Sequence, residues 1–317
     1  MIRRPLSKSN LGLDTSHDSR CPRPVFAIVR AAGITLLAVI TASVLGNVVT
    51  YVGWANAWRQ RDTTCELLDD EESTPWPARA LTWLRTAVME CVATVMLVLT
   101  APLDLGRERL RGVGVPVILV TGSLQHRGQL AWLARRLRRD GRATLVASAP
   151  GHDVESRAAA LAETIERVAR ATGAPSIDVV ACGGGGLVAR ACVRALGKRG
   201  RIGRLVTLGT PHQGTVAMPW LGGSRRMGER RPDSALLHRL GTDDPVPVLA
   251  DCISIYSLDD ALVLPGDAAY YGGAFNIELR GPGHLSMAYS GRVYELIREN
   301  LAAELAPRRG TLPAGGR

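Results

Sequence analysis

The stretch Ile177-Asp178-Val179-Val180-Ala181-Cys182-Gly183-Gly184-Gly185-Gly186-Leu187 joins an apolar run to four consecutive glycines and then to a helix-like segment opening at Gly186. A strand that turns sharply into a helix needs small residues at the turn, and such a turn is a place where a fold can hold up a nucleophile. Gly183 has no side chain, so it offers no atom that could attack a carbonyl. Its neighbour Cys182 does carry such an atom, and a thiolate beside a histidine is a competent nucleophile. Downstream, Asp260 closes the run Ile255-Tyr256-Ser257-Leu258-Asp259-Asp260, and His284 sits in Gly281-Pro282-Gly283-His284-Leu285-Ser286. A carboxylate and an imidazole are the groups that orient and move a proton in acid–base catalysis. His17, His126, His152, His212 and His238 stand isolated in the sequence. The six cysteines, Cys21, Cys65, Cys91, Cys182, Cys192 and Cys252, show no paired spacing, so neither a zinc site nor a disulfide framework is indicated and no metal or cofactor is expected.

Several segments share one pattern. Val117-Ile118-Leu119-Val120-Thr121-Gly122 resembles a first core strand ending in His-Gly, and Gly183-Gly184-Gly185-Gly186-Leu187-Val188-Ala189-Arg190 resembles Ser-Met-Gly-Gly-Leu-Val-Ala-Arg. Leu205-Val206-Thr207-Leu208-Gly209-Thr210-Pro211-His212-Gln213-Gly214-Thr215 matches the strand and loop that follow, and is the most specific of these segments. From about residue 115 to 303 the chain resembles the bacterial lipase/esterase-like (triacylglycerol lipase-like) α/β-hydrolases. The resemblance implies ester chemistry with Asp260 as the acid, His284 as the histidine, and the backbone N–H groups of Ser123 and Gly184 as oxyanion donors. It also places Gly183 where that family carries its nucleophilic serine. The acid and histidine follow the turn in the chain order this fold uses. Taking Cys182 as the nucleophile shifts the register by one residue, puts Val180 where a small residue is needed, and aims a side chain away from the apex. Three functions are consistent with these residues. One is a pseudoenzyme that binds a lipid, an acyl ligand or a protein. The second is an active ester hydrolase using Cys182 or a water activated by His284. The third is a structural membrane assembly protein.

These residues need an alternating scaffold. Apolar, β-branched runs at Val115 to Val120, Thr144 to Ala147, Ile177 to Val180, Arg204 to Leu208, Cys252 to Tyr256 and Phe275 to Leu279 predict strands buried on both faces. Leu130, Leu133 and Leu137 recur at helical spacing before Gly141, as Leu161, Ile165 and Val168 do before Gly173, and both glycines suit helix C-terminal caps. The expected fold is a mostly parallel sheet flanked by helices, the α/β-hydrolase arrangement, over residues 113–305. The strand pattern lapses over 216–248, an insertion read either as a lid or as a solvated excursion. The tail 306–317 reads as disordered.

The first third of the chain is of another physical class. After a basic segment, 1–30, residues 31–112 read as a membrane anchor. Ala31 to Val52 carries no charge and is long enough to span a bilayer. Thr86 to Leu103 is a second apolar run broken only by Glu90, a carboxylate that is costly in lipid unless partnered. Tyr51, Trp54, Trp58, Trp76 and Trp83 cluster between the two, as aromatic belts do. Arginines and Lys8 flank the outer ends while Asp69, Asp70, Glu71 and Glu72 lie between the runs. The positive-inside rule then predicts a transmembrane helical hairpin in the inner membrane with a cytoplasmic domain, or an external domain if only the first run inserts. The net charge of +10 comes without any nucleic-acid motif and is read as attraction to the lipid bilayer.

Overall fold

Val117, Ile118, Leu119 and Val120 are all fully buried in one short strand, as a strand covered on both faces must be. In the computed structural model the described residues are 76–105, 109–122, 125–147, 149–197, 201–217, 228–242 and 244–303, with scattered positions between 30 and 52. The run 31–52, Ser123, part of the insertion 216–248, and both chain ends lie largely or wholly outside them.

Six strands, β1 (Pro116–Val120), β2 (Ala143–Ala147), β3 (Ile177–Cys182), β4 (Ile202–Leu208), β5 (Asp251–Ser257) and β6 (Phe275–Leu279), form one sheet in the order β2-β1-β3-β4-β5-β6. Every neighbouring pair is parallel. Each expected strand is present, with β4 beginning two residues earlier than its apolar run, at Ile202, where the chain still pairs with Ile177. Side chains alternate across the sheet. Ile118, Val120, Val179 and Ala181 face one core cluster, whereas Val117, Leu119, Val180 and Cys182 face the other.

The first cluster is covered by α3 (Val154–Thr172) and α4 (Gly185–Leu196), the second by α2 (Ala131–Arg139) and α7 (Gly291–Ala302). Helix α3 starts at a capping box of Asp153 and Ser156 and stops where Gly173 takes a left-handed φ of 65°. The insertion after β4 is not wholly a solvated excursion. Its described part forms α5 (Ala235–Gly241) and α6 (Val246–Leu249), which bury Leu236, Leu237, Leu240 and Val246 in the first cluster. Arg190 of α4 clasps this part from below, donating to Asp244 Oδ2 at 2.7 Å and to the carbonyls of Leu240 and His212.

Ahead of the sheet runs α1 (Trp76–Thr100), continued by a 3-10 turn, Ala101–Leu105. The helix begins ten residues before the apolar run Thr86 to Leu103. One helix among the described residues, the 24-residue stretch Leu81–Asp104, is long and apolar enough to cross a membrane, with a mean hydropathy of 1.8 over its most apolar 18 residues.

The chain leaves β1 toward β2 on one side and later returns to place β3 on the other. The carboxyl ends of β1 and β3 therefore flank the point where strand order reverses, which is where open α/β sheets form their binding crevice.

Candidate functional site

Strand β3 delivers the glycine run to that crevice. Gly183 follows it directly with a φ of 52°, in the left-handed region. The turn is fixed by backbone bonds: the Gly183 N–H donates to Leu208 O at 2.8 Å, and Gly183 O accepts from Gly186 N–H at 3.0 Å. Thr210 Oγ1 donates to the same carbonyl at 2.8 Å. Gly184 caps α4, whose first residues are Gly185 and Gly186. Gly186 must be glycine, because a β carbon there would run into the Thr210 side chain.

Strand β5 ends just before the second element of the site. Asp260 is 1% exposed, and its Oδ1 accepts the N–H groups of Leu262 at 2.8 Å and Val263 at 3.0 Å. Its Oδ2 lies 2.7 Å from His284 Nδ1. This leaves the other ring nitrogen facing the turn: a β carbon at Gly183 would lie 2.8 Å from His284 Nε2. The structure thus brings Asp260, His284 and Gly183 into one line, with the carboxylate behind the imidazole and the imidazole against the apex glycine. Burial disfavours a charged ring at His284, but the Asp260 carboxylate outweighs it through charge and hydrogen bond, and the balance raises the pKa above the ordinary 6.5. Gly209, after β4 and also at a φ of 52°, closes beneath the pair: a β carbon there would meet Met287 Cε at 2.5 Å and Asp260 Oδ2 at 2.8 Å.

Cys182 points elsewhere. Its side chain is buried in the cluster under α2 and α7, and desolvation pushes the thiol up to about 12, far from the thiolate a nucleophile requires. Of the residues implied as oxyanion donors, Gly184 adjoins the apex and Ser123 lies outside the described residues.

Two further side chains shape the site, and neither belongs to a catalytic motif. Arg230, from the insertion, lays its guanidinium against Gly184, so that a β carbon on Gly184 would overlap it. Its charge opposes protonation of His284. Glu90, in the middle of α1, is 4% exposed and accepts the N–H groups of Leu285 at 3.0 Å and Ser286 at 2.7 Å, the two residues after His284. Gly283 allows this approach, since a β carbon there would strike the Glu90 side chain. The carboxylate that interrupts the apolar run is therefore partnered by protein backbone. No group of three or more histidine, cysteine, aspartate or glutamate residues among those described could hold a metal ion.

No family model matches the sequence. The structure is similar to Aspergillus fumigatus lipase B, with a TM-score of 0.51 at 15% identity over 60% of this chain and 53% of that one. It is likewise similar to the Bacillus licheniformis lipase BlEst2. The propeptide form gives a TM-score of 0.52 at 17% identity over 64% of this chain and 54% of that one. The mature form gives 0.50 at 15% identity over 62% and 95%. The chain spans about half the length of the Aspergillus lipase. At such identities the likeness is one of fold: the parallel sheet and its flanking helices are an α/β-hydrolase fold of the lipase and esterase kind.

Proposed function

We propose that this protein is a membrane-attached α/β-hydrolase-fold pseudoenzyme that binds an acyl ligand at a site lacking its nucleophile. One observation carries the reading: the acid–histidine pair is assembled, yet the atom 2.8 Å from His284 Nε2 would be only a β carbon, and Gly183 does not have one. A serine there would need the imidazole to shift by a few tenths of an ångström, so the site is packed around glycine. The Arg230 guanidinium beside Gly184 and His284 makes a carboxylate-ended acyl chain the ligand of best fit, since arginine matches carboxylate geometry.

Membrane attachment is supported by the outer face of α1 and its 3-10 continuation, where Leu81, Leu84, Val88, Val92, Leu99 and Leu103 are each more than half exposed. The opposite face is held by the domain from Thr86 to Thr100. Thr86 Oγ1 donates to Gly281 O at 2.8 Å, Glu90 binds the His284 loop, and Leu97 O lies 2.5 Å from His126 Nε2. A helix flanked by protein in this way fits a bed in the membrane interface better than a bilayer crossing. The run 31–52 then supplies the single span, in place of the two-helix hairpin.

The test is chemical. A fluorophosphonate probe for activated serines should leave the wild type unlabelled, and Gly183→Ser should acquire labelling and a weak short-chain esterase rate. A faint wild-type rate is no sign of a nucleophile, because an oxyanion hole with binding alone gives roughly 10³-fold over water. Strong wild-type labelling at a serine near His284 overturns the proposal, as does a clear wild-type activity that Cys182→Ala abolishes in a folded protein. For the ligand, a fatty acid should bind the wild type better than its methyl ester, and Arg230→Gln should remove the difference.

A further inference from the structure

Beyond the C-terminal end of α1 the surface folds into a cavity of about 210 Å³ that shares no lining residue with the Gly183 turn and is lined by Arg109, Arg111, Arg127 and Arg138 together with Leu103 and Val146. Its walls are fixed by the backbone. Arg111 forms a two-bond bridge to the outer strand β2, its N–H donating to Thr144 O at 3.0 Å and its carbonyl accepting from Thr144 N–H at 2.8 Å. The following Gly112, at a φ of 94°, lets the chain close on α2, since a β carbon would meet Arg142 O at 2.8 Å and Arg138 Cγ at 3.3 Å. Arg138 rises from α2 with its Nη1 donating to Thr144 Oγ1 at 3.0 Å.

Among the described residues these cations are only partly balanced. Arg127 is committed to Asp104 at 2.9 Å, but among the described residues Arg109, Arg111 and Arg138 pair with no carboxylate. Burial and the neighbouring charges of Arg111 and Arg135 weigh against the charged form of Arg138. Like charges gathered on one wall, three of them without a carboxylate partner among the described residues, make an anion site. The rim supplies the second half of the recognition. Leu103, 58% exposed, leads from the cavity onto the apolar face of α1 through Leu99, 56% exposed. A ligand with a phosphate for the arginines and acyl chains for that face would be held at both ends.

We propose that this arginine-lined cavity binds the phosphate of an anionic phospholipid headgroup, fixing the domain's orientation on the membrane. The proposal rests on the membrane attachment argued above and is independent of the state of Gly183.

The full chain, purified in an uncharged detergent, can be titrated with short-chain phosphatidylglycerol, short-chain phosphatidylcholine and inorganic phosphate, with bound species counted by native mass spectrometry. Phosphatidylglycerol should bind at least tenfold more tightly than either alternative. Arg109→Gln with Arg111→Gln, both exposed side chains, should weaken it about tenfold, while the exposed pair Arg170→Gln with Arg201→Gln should not. Equal binding of both phospholipids, or an unchanged affinity in the Arg109/Arg111 variant, would overturn the site. Inorganic phosphate binding as tightly as the lipid would overturn the lipid assignment. Alkaline carbonate extraction of cell membranes reads attachment separately: a chain that extracts freely sinks the attachment, whereas lipid preference in micelles still reports on the cavity.

Discussion

Both carboxylate oxygens of Asp260 are engaged: two backbone N–H groups hold one and the imidazole holds the other. A carboxylate so fixed imposes both the orientation and the charge preference of His284. The expected consequence is a His284 titration above 6.5, read from its ring resonances by NMR. Asp260→Asn should drop it below that value, since burial and the Arg230 charge would then be opposed only by Glu90. The sign carries over to stability. A histidine whose folded pKa is raised contributes most at low pH, so the stability difference between wild type and His284→Gln should shrink as pH rises from 6.5 through the folded value. A midpoint below 6.5 in the wild type would mean that the pair is not formed in solution. Gly209 gives a second check at this scale. Gly209→Ala places a methyl against Met287 and Asp260 at a left-handed φ, and should destabilise the fold by roughly 2 kcal/mol or more in chemical denaturation. The glycine run, Asp260 and His284 were legible in the sequence because each lies in a contiguous motif at a strand end. Arg230 was not, since it acts through a contact with Gly184 that no local spacing encodes.

Helix α1 shows why element-level reading went only part of the way. Its apolar composition was plain, and so was the interruption at Glu90. What the interruption does depends on partners 195 and 196 residues away in the chain, a separation at which periodicity carries no information. The docked face is small and polar where it meets the domain. Thr86, Glu90 and Ala93 are buried, and Gly128 comes so close to the Thr100 carbonyl that it has no room for a side chain. Glu90→Ala would leave the buried N–H of Ser286 and the partly buried N–H of Leu285 without their acceptor, at a cost of about 1–3 kcal/mol for the first and less for the second. Native-state hydrogen exchange should then show the amides of Leu285 and Ser286 losing protection before those of β3 or β4. Glu90→Gln, which keeps an acceptor oxygen, should lose less. Unchanged protection in Glu90→Ala would show that the His284 loop holds itself without α1. The strands were better determined by sequence, because a strand buried on both faces writes its location as an unbroken apolar run. Their order was not, since pairing is fixed by which helices cover which face.

At the scale of the whole molecule the sheet, its helices and α1 form one packed body, and the proposed membrane attachment makes a testable statement about which side that body would occupy. Two chemical signals in the chain compete. The flanking arginines and the acidic stretch Asp69 to Glu72 favour two crossings, with both ends in the cytoplasm. The packing favours one crossing, because Thr86, Glu90 and Leu97 are bonded to the domain. Inserting α1 would require breaking those contacts and exposing Glu90 to hydrocarbon, where a carboxylate costs a few kcal/mol. Retaining them leaves the exposed leucines and valines of α1 free to lie in the interface. We therefore expect the basic N-terminal segment inside and the domain outside. A reporter fused after Arg317 should be active only in an external compartment, and protease added to intact spheroplasts should digest the domain. Protection until lysis, together with a cytoplasmic reporter, would show that α1 crosses after all. In that case Glu90→Leu should improve membrane insertion. If α1 lies in the interface, the same substitution should instead release the His284 loop while leaving the topology unchanged.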